Sequence, residues 1–307
     1  MIHLPNFSIL AQIYESNNSI VYRARRGSDG EPVIVKLLKQ EYPSPEQVTR
    51  YKQEYEITHS LDINGVIKAY QLEKYLNRWL IVFEDFNGES LNKLRKQQKA
   101  YVNLEEFLKL AIKIAEVLGE IHGHNIIHKD INPSNIVFNA ETGELKIIDF
   151  GIATILSRET PTLKHPNILE GTLPYISPEQ TGRTNRYLDY RSDFYSLGVT
   201  FYELLTEQLP FETKDTMEML HCHLARKPLS PREINGDIPS IVSDLIMKLM
   251  EKNAEDRYQS AWGIKEDLEL CLHQLQTTNQ ILDFPLAFQD AFDKFQIPQK
   301  LYGRERE

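Results

Sequence analysis

The period of the apolar residues changes once along this chain, near residue 87, and that change restricts the fold more than any other feature. Upstream, short runs rich in β-branched and aromatic residues recur at Ser19–Arg25, Val33–Leu38, Val66–Leu72 and Trp79–Phe83. Asp29-Gly30 and Glu31-Pro32 supply turn chemistry between the first two. One helical stretch interrupts them, Pro45–Leu61, with Val48, Tyr51, Tyr55 and Thr58 at three- and four-residue spacing. Downstream the helical period takes over. Asn103, with Glu106 three residues on, resembles a capping box. Behind it Leu104, Phe107, Leu108, Ala111, Ile114, Ala115, Leu118 and Ile121 form a broad apolar stripe. Further helices are expected at Ser192–Thr206, Pro239–Glu251 and Ala261–Gln274. The pattern predicts an α+β chain of two lobes, a small β-rich one with one helix (about 1–86) and a larger helical one (about 87–273). The hinge is expected at Glu84-Asp85-Phe86-Asn87-Gly88. A cleft between such lobes is a preferred ligand site.

Composition narrows the classes. The 307 residues suffice for a sizeable core. Thirty-five Lys and Arg stand against 44 Asp and Glu, and this acidic balance argues against nucleic acid as the main partner. Cys222 and Cys271 show no metal-binding spacing and suit reduced thiols. No signal peptide is expected from Met1-Ile2-His3-Leu4-Pro5, and no apolar run is long enough for a membrane span. A cytoplasmic protein is the expectation. Glycine is scarce, 14 in all, and none precedes Gly27.

The chemistry concentrates in Ile127-His128-Lys129-Asp130-Ile131-Asn132-Pro133-Ser134-Asn135-Ile136-Val137. A carboxylate and an amide stand five residues apart on what should be a tight loop. A second carboxylate follows in Ile147-Ile148-Asp149-Phe150-Gly151, after a short apolar strand. A carboxamide and a strand-end carboxylate suit hard Mg²⁺ ions that also bind phosphate oxygens. Asp130 is then free to accept a hydroxyl proton.

These segments resemble those of eukaryotic-like Ser/Thr protein kinases. The catalytic loop His-Arg-Asp-x-x-x-x-Asn is matched with Lys129 for Arg, and Asp149-Phe150-Gly151 is matched fully. Gly171-Thr172-Leu173-Pro174-Tyr175-Ile176-Ser177-Pro178-Glu179 is similar to the end of a kinase activation segment. Asp193 resembles the buried Asp of the large-lobe central helix, and Arg257 the partner of Glu179. The resemblance, over about residues 7–273, implies a bilobal protein-kinase-like fold, ATP and Mg²⁺ as cofactors and a protein substrate. It gives Asp130 the role of base, Asn135 and Asp149 the metal, and Lys36 the nucleotide phosphates. Glu54 is the expected partner of Lys36, with Glu56 as the rival. Val21, Ile34 and Val137 would enclose the adenine, and the backbone of Glu84 and Phe86 would read its edge. Phe83 would back the pocket, His128 would be structural, and Ile13, Tyr14, Ser16, Ser19 and Asn132 complete the expected nucleotide contacts.

The sequence departs from the kinase pattern at two places. The phosphate loop, Tyr14-Glu15-Ser16-Asn17-Asn18-Ser19-Ile20-Val21, has no glycine, although glycine there lets the backbone reach positive φ and approach phosphates. Ser16, Asn17 and Asn18 are expected to compensate in part, Asn through its tolerance of the left-handed region. Glu15 brings a negative charge. Asn132 stands where Ser/Thr kinases carry a Lys. Lys129 should also grip an activation-segment phosphate less well than Arg, with Ser157, Thr160 and Thr162 as candidate phosphorylation sites. Two readings remain: an active Ser/Thr kinase, and a pseudokinase acting as a nucleotide-binding or interaction module. Retention of Lys36, Asp130, Asn135 and Asp149 favours the enzyme. In the tail, 274–307, Phe284, Phe288, Phe292 and Phe295 are spaced as in an amphipathic helix. Lys300-Leu301-Tyr302-Gly303-Arg304-Glu305-Arg306-Glu307 resembles the opening of the ATPase module in large bacterial hybrid signalling kinases. That likeness implies downstream ATPase, sensor and histidine-kinase domains.

Overall fold

Five antiparallel strands form one sheet against which one helix packs: β1 (Phe7–Glu15), β2 (Ser19–Arg26), β3 (Pro32–Leu38), α1 (Pro45–Ser60), β4 (Ala69–Tyr75) and β5 (Arg78–Glu84). The sheet order is β1-β2-β3-β5-β4. This computed structural model describes residues 4–98, 103–155, 170–183, 187–288 and 290. Ser157, Thr160, Thr162, Phe292, Phe295 and the 300–307 segment lie outside them.

Beyond the connector come β6 (Glu89–Ser90), α2 (Leu91–Gln98), α3 (Leu104–Gly123), β7 (Ile126–Ile127), β8 (Ile136–Phe138), β9 (Leu145–Ile147) and β10 (Thr154–Ile155). The large lobe is completed by α4 (Arg191–Thr206), α5 (Thr216–Ala225), α6 (Pro231–Ile234), α7 (Ser240–Leu249) and α8 (Ala261–Thr278). The apolar stripe of α3 is buried as its spacing requires, and with α4, α7 and α8 it forms the main core. At its start Asn103 accepts from the Glu106 N–H at 2.8 Å, so only half of the reciprocal cap forms.

Three expectations are corrected. The strand expected at Val66–Leu72 begins at Ala69, because Val66 bridges Ile147 and is buried in the large-lobe core. β1 was not anticipated, since it is almost wholly exposed and shows no apolar alternation. No helix forms at Phe284–Phe288: Pro285 disfavours helical backbone at the residue before it. The tail instead folds back on α8. The Leu282 N–H donates to Gln274 at 2.7 Å, the Ala287 N–H to Asp267 at 2.8 Å, and Asp290 accepts from Ser260 Oγ at 2.6 Å.

One ion pair locks the large lobe. Arg257, with its side chain fully buried, meets Glu179 at 2.6 and 2.9 Å and also donates to the carbonyls of Arg191, Glu251 and Lys252. Burial works against the Glu179 charge, but Arg257 outweighs it and holds the carboxyl below its usual range. Removing one partner leaves an uncompensated buried charge. We expect Arg257→Ala to cost about 3–5 kcal/mol, measured by denaturant unfolding. A loss under about 1 kcal/mol would show the pair to be dispensable.

Candidate active site

The catalytic loop is held from below by a carboxylate. Asp193, in the first turn of α4 and fully buried, accepts from the backbone N–H groups of His128 at 2.9 Å and Lys129 at 2.7 Å. It also pairs with His122 Nε2 at 2.9 Å. These bonds keep Lys129 at a φ of 67°, a left-handed conformation uncommon for a side-chain-bearing residue. Asp130 thereby faces the cleft. His128 accepts the Asp130 N–H on Nδ1 at 3.2 Å, so its Nε2 donates to the Ile148 carbonyl at 3.0 Å. Its ring also packs edge-on to buried Phe150, 4.8 Å between centroids. Both contacts are structural, as expected.

Asp130 is oriented through both oxygens. Oδ2 accepts from Asn135 Nδ2 at 2.8 Å, and Oδ1 from the Thr172 N–H at 2.8 Å. Each oxygen keeps lone-pair capacity for a further proton. Asn135 Nδ2 also reaches the Asp130 carbonyl at 2.9 Å, so its amide nitrogen is committed and Oδ1 is the atom it can offer a cation.

Across the cleft Lys36, on β3, places Nζ 2.6 Å from Glu54 Oε1 and 3.0 Å from Asp149 Oδ1. Glu54 rather than Glu56 is therefore the helix partner. Burial pushes the Glu54 carboxyl up to about 7, against the pull of Lys36 and with added repulsion from Asp149. Burial also opposes charge on Lys36, but Asp149 and Glu54 outweigh it and raise its pKa. Asp149 is likewise penalised by burial, yet Lys36 and then His128 keep it below the usual carboxylate range. Its φ of 67° aims it back into the cleft while Phe150 buries beneath. Lys36, Glu54 and Asp149 are thus bonded together, and so are Asp130 and Asn135.

One carboxylate of each set, Asp149 and Asp130, lines a cavity of about 460 Å³ together with Gly151, Thr172 and the turn Ser16-Asn17-Asn18. A Mg²⁺ site fits these residues. Among the described residues no three His, Cys, Asp or Glu cluster as metal ligands. Asp149 and Asn135 would therefore share a hard ion with phosphate and water oxygens, the usual sharing for Mg²⁺.

The glycine-free loop closes differently from expectation. None of Tyr14 to Val21 takes a positive φ. Ser16 closes the turn instead: its hydroxyl accepts from the N–H groups of Ser19 at 3.0 Å and Asn18 at 3.2 Å, and its own N–H donates to the Ser19 carbonyl at 2.8 Å. Glu15 pairs with Lys39 at 2.5 Å, which offsets its charge beside the cleft. Ile13 and Tyr14 lie exposed on β1, and Ser19 is buried. Asn132 is buried and its amide is engaged: it donates to the Asp130 carbonyl at 3.0 Å and Thr172 Oγ1 at 3.3 Å, and accepts from the Ser134 N–H at 2.9 Å.

The expected adenine contacts are half-buried at Val21, Ile34 and Val137, with buried Phe83 opposite Ile34 in the β3–β5 ladder. Glu84 accepts from Lys146 Nζ at 2.7 Å, and Asn139 Nδ2 donates to the Phe86 carbonyl at 2.7 Å. A Cβ on Gly88 would lie 2.7 Å from both the Phe86 ring and Val137 Cγ1, so the connector needs glycine there. The roles of Asn139, Lys146 and the Thr172 N–H were not foreseen. No local spacing announces a contact made across the fold. We expect Ser16→Ala to raise the KM for ATP about 5- to 10-fold, because two turn bonds of about 0.5–1.5 kcal/mol each are lost. Unchanged steady-state kinetics would show that the turn does not depend on the hydroxyl.

This architecture has known counterparts. Residues 7–268 match the protein kinase domain family. A probable serine/threonine-protein kinase of Clostridium perfringens is 36% identical over 264 residues, 86% of this chain and 38% of that protein. The serine/threonine-protein kinase PrkC of Bacillus subtilis is 29% identical over 86% of this chain and 40% of its own length. Hybrid signal transduction histidine kinase G of Dictyostelium discoideum is 31% identical over 68% of this chain and 9% of its own. The chain thus spans about two-fifths of the two bacterial relatives and about a tenth of the hybrid one. With the family's catalytic loop, strand lysine and buried carboxylates all found in this cleft, the chain belongs to the protein kinase family.

Proposed function

We propose that this domain is an active Ser/Thr protein kinase, transferring the γ-phosphoryl group of ATP to a protein hydroxyl with Mg²⁺. The observation that carries the reading is that Asp149, paired with Lys36, and Asp130, bonded to Asn135, line one cavity, while Lys36 also holds Glu54. Its Ser/Thr relatives, PrkC among them, supply the acceptor class. A scaffold needs none of these charges, whose burial is costly unless they are paired.

Phosphoryl transfer asks for position and charge more than covalent chemistry. Mg²⁺, when bound, neutralises charge on the transferring phosphates. Asp149 and Asn135 Oδ1 would hold it, and Lys36 would orient the phosphates. Asp130 accepts the proton of the acceptor hydroxyl as the hydroxyl oxygen attacks the γ-phosphorus and the bond to ADP breaks, while Asn135 and Thr172 keep the carboxylate aimed. Val21, Ile34 and Val137 exclude water around the base. Asn132, committed to Asp130, Thr172 and Ser134, adds no charge to this step. The hybrid relative, a signal transduction histidine kinase by name, supports a proposal that this domain works in a multi-domain context. Among the described residues no helix is long and apolar enough to cross a membrane.

Labelled-ATP transfer tests the reading. Asp130→Ala should lower kcat by about 10²–10⁴-fold while ATP with Mg²⁺ still raises the melting temperature. Nucleotide binding without transfer by the wild type, across protein substrates, would sink it in favour of the pseudokinase. A second expectation concerns pH. As pH falls through about 7, Glu54 gains a proton and loses the charge facing Lys36, so kcat/KM for ATP should decline on the acid side. Glu54→Gln should lower the whole profile and flatten that limb. A limb of equal steepness in the variant would assign it elsewhere.

A further inference from the structure

Arg50 and Glu54 stand one turn apart on α1 and share a face. Glu54 reaches Lys36, and Arg50 reaches toward the large lobe, its Nη2 3.2 Å from Glu170 Oε1. The other oxygen of Glu170 takes Lys129 Nζ at 3.0 Å. The Lys129 side chain is only 4% exposed, and a buried ammonium is tolerated only against an anion. The backbone is tied as well: Gln180 Nε2 donates to the Lys129 carbonyl at 2.8 Å and to that of Glu170 at 3.3 Å. Gly171, at a φ of 113°, then turns the chain so that the Thr172 N–H meets Asp130. One carboxylate therefore joins the helix that carries Glu54 to the loop that carries Asp130.

We propose that Glu170 is a positioning residue that docks α1 on the catalytic loop in the unphosphorylated protein, so that phosphoryl transfer needs no phosphate on residues 156–169. Its side chain supplies an anion to the Lys129 ammonium. The match of groups agrees, since a single carboxylate suits an ammonium, whereas a phosphate is better held by a guanidinium fork. The effect on rate rests on the kinase reading above, but the docking does not.

The test uses the 307-residue chain, phosphatase-treated and shown by intact mass to carry no phosphate. Amide exchange across 45–60 should quicken at least tenfold in Glu170→Gln and stay near wild type in Glu170→Asp, with α4 unchanged. Unaltered α1 exchange in Glu170→Gln overturns the proposal. Should α4 also lose protection, Arg50→Ala repeats the measurement from the exposed end of the bridge, with the same two outcomes. In transfer assays, Ser157→Ala/Thr160→Ala/Thr162→Ala cannot be rephosphorylated on that segment. It should keep its initial velocity within twofold, and adding Glu170→Gln should lower kcat at least tenfold. Activity that appears only after phosphorylation of the segment overturns the proposal. If the wild type transfers nothing, the kinase reading fails, and the exchange measurement alone still decides the docking.

Discussion

The site depends on one buried carboxylate that never touches substrate. Asp193 sits at the N-terminal end of α4, in the middle of the large-lobe core, and accepts two successive backbone N–H groups of the catalytic loop. Backbone in the left-handed region costs of order 1–3 kcal/mol per side-chain-bearing residue, and the loop meets that cost at Lys129 because Asp193 over-determines it. The orientation of Asp130, the seat of His128 on Ile148 and the approach of Thr172 all follow from that fixed backbone. A solvent-exposed carboxylate could not do this, since water would compete for both N–H groups.

Above that foundation the cleft is an electrostatic arrangement under tension. Lys36 lies between two carboxylates, each penalised by burial and each relieved by the same ammonium. Glu54 is the least comfortable member, because it is buried deepest and also feels Asp149. Its position on α1 makes the charge balance of the small lobe depend on where that helix sits. The same helix carries Arg50, so its two charged contacts point to different walls of the cleft. A rigid-body shift of α1 would break both together, which makes the helix a natural element through which the cleft is kept assembled.

Much of this was readable in the residues. The change of period near 87 located the connector, and the five-residue spacing of Asp130 and Asn135 put a carboxylate beside an amide. Glu54 was favoured by its spacing to Ile57, Leu61 and Val66-Ile67, with Glu56 left as the rival until the ion pair with Lys36 decided between them. What misled was equally local. The missing glycines suggested a strained loop with left-handed Asn residues, whereas the Ser16 hydroxyl closes the turn with ordinary backbone. The phenylalanine spacing after 280 suggested a helix, but Pro285 and the pull of Asp267 and Gln274 draw the chain along α8. β1 carried no alternation, since almost all of it faces solvent.

By itself the sequence determined the two-lobed order, the apolar faces that build each core, and the candidate groups for phosphate chemistry. Periodicity and short-range spacing are properties of neighbours along the chain, so they survive without coordinates. Only the tertiary structure decided which oxygen each donor takes. It committed the Asn132 amide to Asp130, Thr172 and Ser134, gave Glu15 to Lys39, and set Glu170 between Arg50 and Lys129, 120 and 41 residues away in sequence. Such choices depend on distance and burial across the fold, where a charge either finds its partner or costs more than the fold can bear.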